Sequence, residues 1–422
     1  MQLKRKPKKI KSALALATTT MLVSTTGIVN AETPDKTWQV DSAILYYSET
    51  DRVTAIEPVV SIRKQIDEDE FIGMRLVFDS LTGSSPNGAT KQPLPQSFSR
   101  VSGSAVYTTP ANQTPTDPNF RESRAALSLD WEKPMSETSK GIYSFNFSKE
   151  IDYTSVGLAA TFSWDTNQRL RTWTAGASYN FETIDPLGGV TKPYSEVLTT
   201  PAGKKETIGD TENKNVADIL FGLTQIISRR TLMQFNINFG MDDGYLTDPY
   251  KLLSVYDANG DLAPGTTPNN YLYLYEKRPD SRTRQALFWK TVHSFGQDVV
   301  NVSYRYYWDD WGISSHTIDG RYRFEMGGGH YIEPHLRYYL QDKADFYNYN
   351  LVLNNTPTYA SADYRLADMS TTTFGFKYGV EITNTTEFNI RIEQMTQQSE
   401  SGDAPFDDVE AIIFQIGYST VF

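Results

Sequence analysis

Thr154-Ser155-Val156-Gly157-Leu158-Ala159-Ala160-Thr161-Phe162-Ser163-Trp164 alternates between two kinds of side chain along its whole length. In an extended chain successive side chains point to opposite faces. Val156, Leu158, Ala160, Phe162 and Trp164 therefore share one face, and Ser155, Gly157, Ala159, Thr161 and Ser163 share the other. Asp165-Thr166-Asn167 supplies a turn, and the next strand repeats the pattern. There Trp173, Ala175, Ala177 and Tyr179 lie on the apolar face, with Thr172, Thr174, Gly176 and Ser178 opposite. A face rich in aromatics backed by a small, polar face suits a wall between lipid and water.

Working outward with the same period of two gives strands at 38–48, 52–64, 69–81, 122–133, 139–149, 152–164, 169–180, 215–228, 231–241, 281–293, 298–309, 312–326, 329–341, 370–382, 385–397 and 408–422. Each is long enough for a tilted strand to cross a bilayer, which takes ~9–11 residues. The connections at 65–68, 134–138, 165–168, 229–230, 294–297, 327–328 and 383–384 are short. The long ones, 82–121, 182–214, 242–280 and 342–369, all fall on the opposite side. Alternating short periplasmic turns and long extracellular loops is the rule for bacterial barrels. The expected fold is an all-β, antiparallel up-and-down transmembrane barrel of about sixteen strands, with fourteen and eighteen as the alternatives. A soluble β-sandwich or propeller would need an apolar core and leaves the loop asymmetry unexplained.

Composition agrees. Mean hydropathy is −0.47, yet 13% of residues are aromatic, 26 of them Tyr. One lipid face and one wet face on every strand keep the average low. The chain opens with Lys4, Arg5, Lys6, Lys8, Lys9 and Lys11, then an apolar stretch from Ala13 to Val29, then Val29-Asn30-Ala31. That order predicts a cleaved signal peptide over 1–31 and a single barrel domain over 32–422. The stretch is too rich in Thr and Ser for a spanning helix. Taking six basic residues from a net charge of −11 leaves −17, which excludes a nucleic-acid partner. Without cysteine there is no disulfide framework and no thiolate site. The expected location is the bacterial outer membrane, with its lipids and lipopolysaccharide as surroundings. Only Glu32 to Lys36 precede the first strand, so any constriction must come from folded-in extracellular loops, two of which open on the flexible turn chemistry of Gly83-Ser84-Ser85-Pro86-Asn87-Gly88 and Gly188-Gly189.

The last strand carries Ile412, Phe414, Ile416, Tyr418 and Phe422 on one face. Phe414, Ile416, Tyr418 and Phe422 together resemble the insertion signal that the barrel assembly machinery reads. An amphipathic strand can join another sheet edge through main-chain hydrogen bonds.

Parity places Arg284, Lys290, Arg305, Asp309, Asp319, Arg321, Arg323, Glu325, Glu333, Arg337, Lys377, Glu381, Glu387, Arg391 and Glu393 in the lumen. Eight basic against seven acidic residues favours cross-strand pairing over a single-sign filter. Candidate chemistry is sparse, and no catalytic residue or cofactor is expected. His293 and His316 fall on the outward parity, His330 beside a turn, and His335 inward between Glu333 and Arg337. His316 follows Ser314 and Ser315 without a nucleophile-elbow context, so a lipid hydrolase is the weakest reading. Asp257, Asn259 and Asp261 have the oxygen spacing that opens a calcium loop, but Leu262 stands where Gly is required and Pro268 where the closing Glu should be. They stay as weak surface calcium candidates. The Tyr304-Arg305-Tyr306-Tyr307-Trp308 and Tyr338-Tyr339 runs suit interfacial girdles.

Four segments, Trp38 to Ala43, Asp51 to Pro58, Asp79 to Ala89 and Gly244 to Lys251, resemble an uncharacterised Gram-negative family, domain-of-unknown-function family 3570. The likeness runs through nearly the whole mature chain. It implies an outer-membrane barrel and carries no functional residues. It also implies a setting near a flavin transferase and a small lipoprotein, which points to envelope redox or metal handling. Two functions follow as expectations: a porin-like channel or transport barrel for small solutes, or a closed barrel docking a small lipoprotein or periplasmic partner.

Overall fold

The computed structural model describes residues 37–422 apart from 51, 84, 100–105, 118, 198–204, 267–270 and 401–407. The signal peptide expected over 1–31, Ser84 and Pro268 lie outside the described residues. Sixteen antiparallel strands close into one barrel. In chain order they are β1 Trp38–Glu49, β2 Thr54–Asp67, β3 Glu70–Thr82, β4 Arg121–Ser136, β5 Ser139–Lys149, β6 Tyr153–Thr166, β7 Arg171–Ile184, β8 Glu212–Ser228, β9 Thr231–Gly244, β10 Ser281–Phe295, β11 Asp298–Asp309, β12 Ser314–Gly327, β13 His330–Gln341, β14 Met369–Thr383, β15 Thr386–Ser399 and β16 Val409–Val421. Every consecutive pair is hydrogen-bonded, and β1 closes on β16 from Gln39 opposite Val421 to Glu49 opposite Ala411.

The alternation in the sequence becomes two surfaces. Leu158 is 64% exposed, Leu336 56% and Phe374 61%, all on the outside of the wall. Trp131, Tyr143, Trp173, Tyr179, Trp289, Tyr338 and Tyr378 join them. A wall that turns large apolar side chains out over its whole circumference is made for hydrocarbon. No helix of the described residues is long and apolar enough to cross a membrane. On the last strand Ile412, Ile416 and Tyr418 are exposed outward while Ala411, Gln415 and Gly417 are buried inward, and Phe422 is exposed.

One end of the barrel has only tight connections, at 68–69, 137–138, 167–170, 229–230, 296–297, 328–329 and 384–385. The other end carries the long segments 83–120, 185–211, 245–280 and 342–368. These are more structured than their composition suggests. Gln96–Ser99 pairs with Val106–Thr109, and Val190–Thr191 with Thr207–Gly209. Leu252–Tyr256 lies between Tyr273–Tyr275 and the parallel strand Asn350–Val352. The buried apolar clusters form here: Phe98, Val197, Leu252, Tyr273 and Tyr275 in one, Leu253, Val255, Leu351 and Ala360 in another. A third joins Trp311 and Ile313 to Phe346, Tyr347 and Leu366. Gly88 shows what one of these loop-opening glycines does. Its φ is +98°, and a Cβ there would collide with the Leu252 carbonyl. Here glycine lets two loops touch backbone to backbone rather than swing.

Candidate functional site

The lumen is a network of charges tied across strands. Arg284 on β10 reaches Asp242 on β9 at 2.7 Å and Asp218 on β8 at 3.3 Å. Arg323 holds Glu325 at 2.5 Å and Glu381 at 3.3 Å. Arg321 meets Asp319 at 3.4 Å, and Arg391 meets Glu393 at 3.7 Å. Register makes these meetings possible. Asp319 stands opposite Arg337, and Glu333 opposite Lys377, because both lie on the inward parity of paired strands. Near the short-turn end Tyr331, wholly buried, donates its hydroxyl to Glu387 at 2.5 Å. The Arg323 guanidinium lies 3.6 Å over the same ring, with the Lys377 ammonium at 5.1 Å. Gly379 leaves the space that this ring fills, since a Cβ there would collide with it.

The opposite wall has a similar network that the sequence reading left out. Glu132 takes Arg63 at 2.5 Å and Lys140 at 2.7 Å, Arg124 pairs with Asp79, and Lys214 pairs with Glu182 at 2.6 Å. At the rim Glu122, Glu150 and Asp152 place carboxylate oxygens within 4.8 Å of one another, and Asp152 accepts the Tyr250 hydroxyl. The parity that located the later charges applies equally to these.

The histidines divide as their parity suggests. His316 lies on the outer face, bonded to the Tyr304 hydroxyl at 2.7 Å and stacked on Tyr306. His293 packs against Phe295 and contacts Thr231 at 2.9 Å, and His330 contacts the Tyr378 hydroxyl at 2.6 Å. His335 is buried in the wall, with Nδ1 2.8 Å from Glu393 and Nε2 2.8 Å from Asp319. Both ring nitrogens are taken up by carboxylates of neighbouring strands, the geometry of a bridge between β12, β13 and β15. Asp257 uses its carboxylate on its own loop, accepting the backbone N–H groups of Asn259 at 2.9 Å and Asp261 at 3.0 Å. Those bonds, the one to Asp261 foremost, hold its carboxyl below the ordinary range.

The long loops meet the wall through a buried ion cluster. Asp363, 1% exposed, receives Arg278 at 2.8 Å and Arg365 at 2.5 Å, with the Lys251 ammonium 3.9 Å away. Glu276, fully buried, pairs with Arg278 at 2.5 Å, accepts the Asp248 N–H at 2.8 Å and takes the Ser361 hydroxyl. Lys251 also donates to the Pro86 carbonyl at 2.6 Å, so segments 83–120, 245–280 and 342–368 share one knot. Burial works to raise the Asp363 carboxyl, but Lys251, Arg365 and Arg278 bring it well below the ordinary range. Burial prevails at Glu276 and raises its carboxyl despite Arg278. Gln341 at the top of β13 donates to the carbonyls of Arg365 at 3.0 Å and Ala367 at 2.8 Å, fixing the knot to the wall. Between knot and wall lies a cavity of about 330 Å³, lined by Arg278, Arg282, Arg305, Tyr307, Ile313, Ser315, Tyr339, Gln341, Asp363, Arg365 and Leu366.

A closed antiparallel wall with an apolar outside, a charged inside and one heavily looped end defines a sixteen-stranded β-barrel of the outer-membrane type. The chain belongs to the family described as "Protein of unknown function (DUF3570)", whose sequence model matches residues 11–419. No curated protein matches it in sequence. Among solved structures it is similar to the CymD monoaromatic hydrocarbon channel, at 10% identity and a TM-score of 0.40, covering 92% of this chain and 88% of that one. It is also similar to Pseudomonas aeruginosa OccK2 (OpdF) in complex with glucuronate, at 8% identity and 0.40, covering 92% and 98%. A bacterial polysaccharide outer membrane secretin gives 7% and 0.42 over 92% and 98%. These are distant likenesses of overall shape.

Proposed function

We propose that the protein is a porin-like barrel of the outer membrane that passes small solutes beneath a loop-built cap, and that it conducts rather than converts them. The observation that supports this most is the chemistry of the lumen. The apolar clusters of the described residues lie in the long loops and at the rim, whereas the inward faces of β8 to β15 carry Asp, Glu, Arg, Lys and hydroxyl groups. A barrel filled as a solid core would bury apolar side chains there, and charges facing one another across a wall call for water. Sixteen strands enclose a lumen wide enough to hold it. With no plug among the described residues, the knot around Asp363 is the element positioned to set passage. The outer face is read as the surface that meets lipid and lipopolysaccharide.

Liposome swelling tests this. Vesicles carrying the folded protein should swell in an isotonic solution of a small uncharged sugar faster than empty vesicles, and more slowly as the sugar grows. Equal rates with and without protein would overturn the reading.

A further inference from the structure

We propose that the cavity beneath the cap is a binding site for an oxyanion, a carboxylate or phosphate group, carried by a small solute, and that Arg305 receives it. The proposal names a solute class for the channel read above and rests on that reading for its purpose.

Four guanidinium groups line the cavity, those of Arg278, Arg282, Arg305 and Arg365, against the single carboxylate of Asp363. The carboxylates within reach are already committed. Asp363 is held by Arg278 and Arg365. Asp309 takes Arg282 at 2.5 Å, the Tyr307 hydroxyl at 2.7 Å and the backbone N–H groups of Trp311 and Ile313 at 3.0 Å. Arg305 is left over. Among the described residues it has no ion pair and no side-chain hydrogen bond, and its guanidinium lies 5.3 Å from the centre of the Tyr307 ring. The lumen elsewhere pairs its arginines: Arg284 has two carboxylates and Arg323 has two. A partly buried guanidinium without an acceptor is costly unless water or a ligand supplies one.

The position suits a ligand better than a vacant pairing. Arg305 stands opposite Thr317, which stands opposite Tyr339, so the three share one level of the wall. Arg337, two residues below Tyr339 on β13, adds a second cation on the same face. Above, the cap closes the space with Arg278 and Arg365. A guanidinium presents N–H donors in a fork that matches two oxygens of a carboxylate or phosphate. Ser315, Gln341 and the tyrosine hydroxyls are near enough to line the remainder of such a solute. About 330 Å³ is roughly ten times the ~30 Å³ that one water occupies in the liquid, room for a compact organic acid and not for a polymer.

The test uses the purified full-length barrel in detergent, titrated separately with glutarate, inorganic phosphate and glucose by calorimetry. Saturable binding of glutarate or of phosphate that weakens with added salt, with none for glucose, is expected, and the two anions tell a carboxylate site from a phosphate site. Arg305→Gln should weaken that binding roughly ten- to a hundredfold, the scale of a charged hydrogen bond. Arg305→Lys keeps the charge, guards against a folding defect and should fall between the two. No binding of either anion, or binding that Arg305→Gln leaves unchanged, overturns the site. Swelling by neutral sugars without anion binding would sink the site and leave the channel reading standing. Anion binding without swelling would do the reverse.

Discussion

Asp363→Asn should release the cap while leaving the barrel intact. The substitution preserves shape and removes the one anion shared by Arg278, Arg365 and Lys251. Breaking a buried ion pair costs about 3–5 kcal/mol, because the partners keep their charge without compensation. Arg365 is 55% exposed and keeps Asp248 at 2.8 Å, and Arg278 keeps Glu276 at 2.5 Å, so the loss is partly compensated and the low end, about 3 kcal/mol, is the appropriate figure. At 1.4 kcal/mol per tenfold, that multiplies the opening equilibrium of the cap by roughly a hundred. Amide hydrogen exchange on the reconstituted protein reads it directly. The backbone N–H groups of Leu252, Val255 and Tyr275, bonded to Asn87, Leu272 and Ser195, should exchange about a hundredfold faster. Those of β6 should not change. Unchanged loop exchange would refute the knot as the fastening. An equal acceleration through the strands would show that cap and barrel unfold together, against a cap that opens on its own.

Three further predictions follow from the same geometry. The cap should tolerate acid: because Asp363 is depressed, its contribution is complete above the ordinary carboxylate value of ~3.9 and is lost only as pH falls through its lower folded value. Glu276, raised by burial, acts in the opposite sense and favours the closed loops as pH falls from 7, so loop exchange that already accelerates at pH 6 would contradict both signs. Gly88→Val should expose the long loops to trypsin at Lys251 and Arg278, since φ is +98° and the Leu252 carbonyl occupies the space; an unaltered digestion pattern would count against the close approach. Leu158→Arg, at mid-height on the outward face of β6, should cost ~2–4 kcal/mol in urea unfolding from lipid vesicles, and a cost near zero would mean that this face does not meet hydrocarbon.

The barrel was legible because its rule is local. Val156, Leu158 and Phe162 announce their face by a period of two, and the predicted strands match the observed ones to within four residues at either end. The lumen was half legible. Parity sends Arg284 inward but does not supply its partner, and Asp218 lies 66 residues away in sequence. Pairing depends on register between strands, which one-strand periodicity does not contain. The cap was not legible at all. Leu252–Tyr256 is short, has no alternating pattern and is buried only by segments from elsewhere, with Leu351 and Ala360 about a hundred residues on. Asp363 looked like an ordinary loop aspartate for the same reason, and the solitude of Arg305 appears only when every neighbouring carboxylate has been assigned.

The central claim is that the lumen is a water-filled path. The most direct measurement is single-channel recording of the folded protein in planar bilayers. Discrete conductance steps are predicted, growing in size or in open time when Asp363→Asn loosens the cap. A barrel that inserts and shows the heat-modifiable mobility of a folded protein, yet gives no steps in either form, would contradict it.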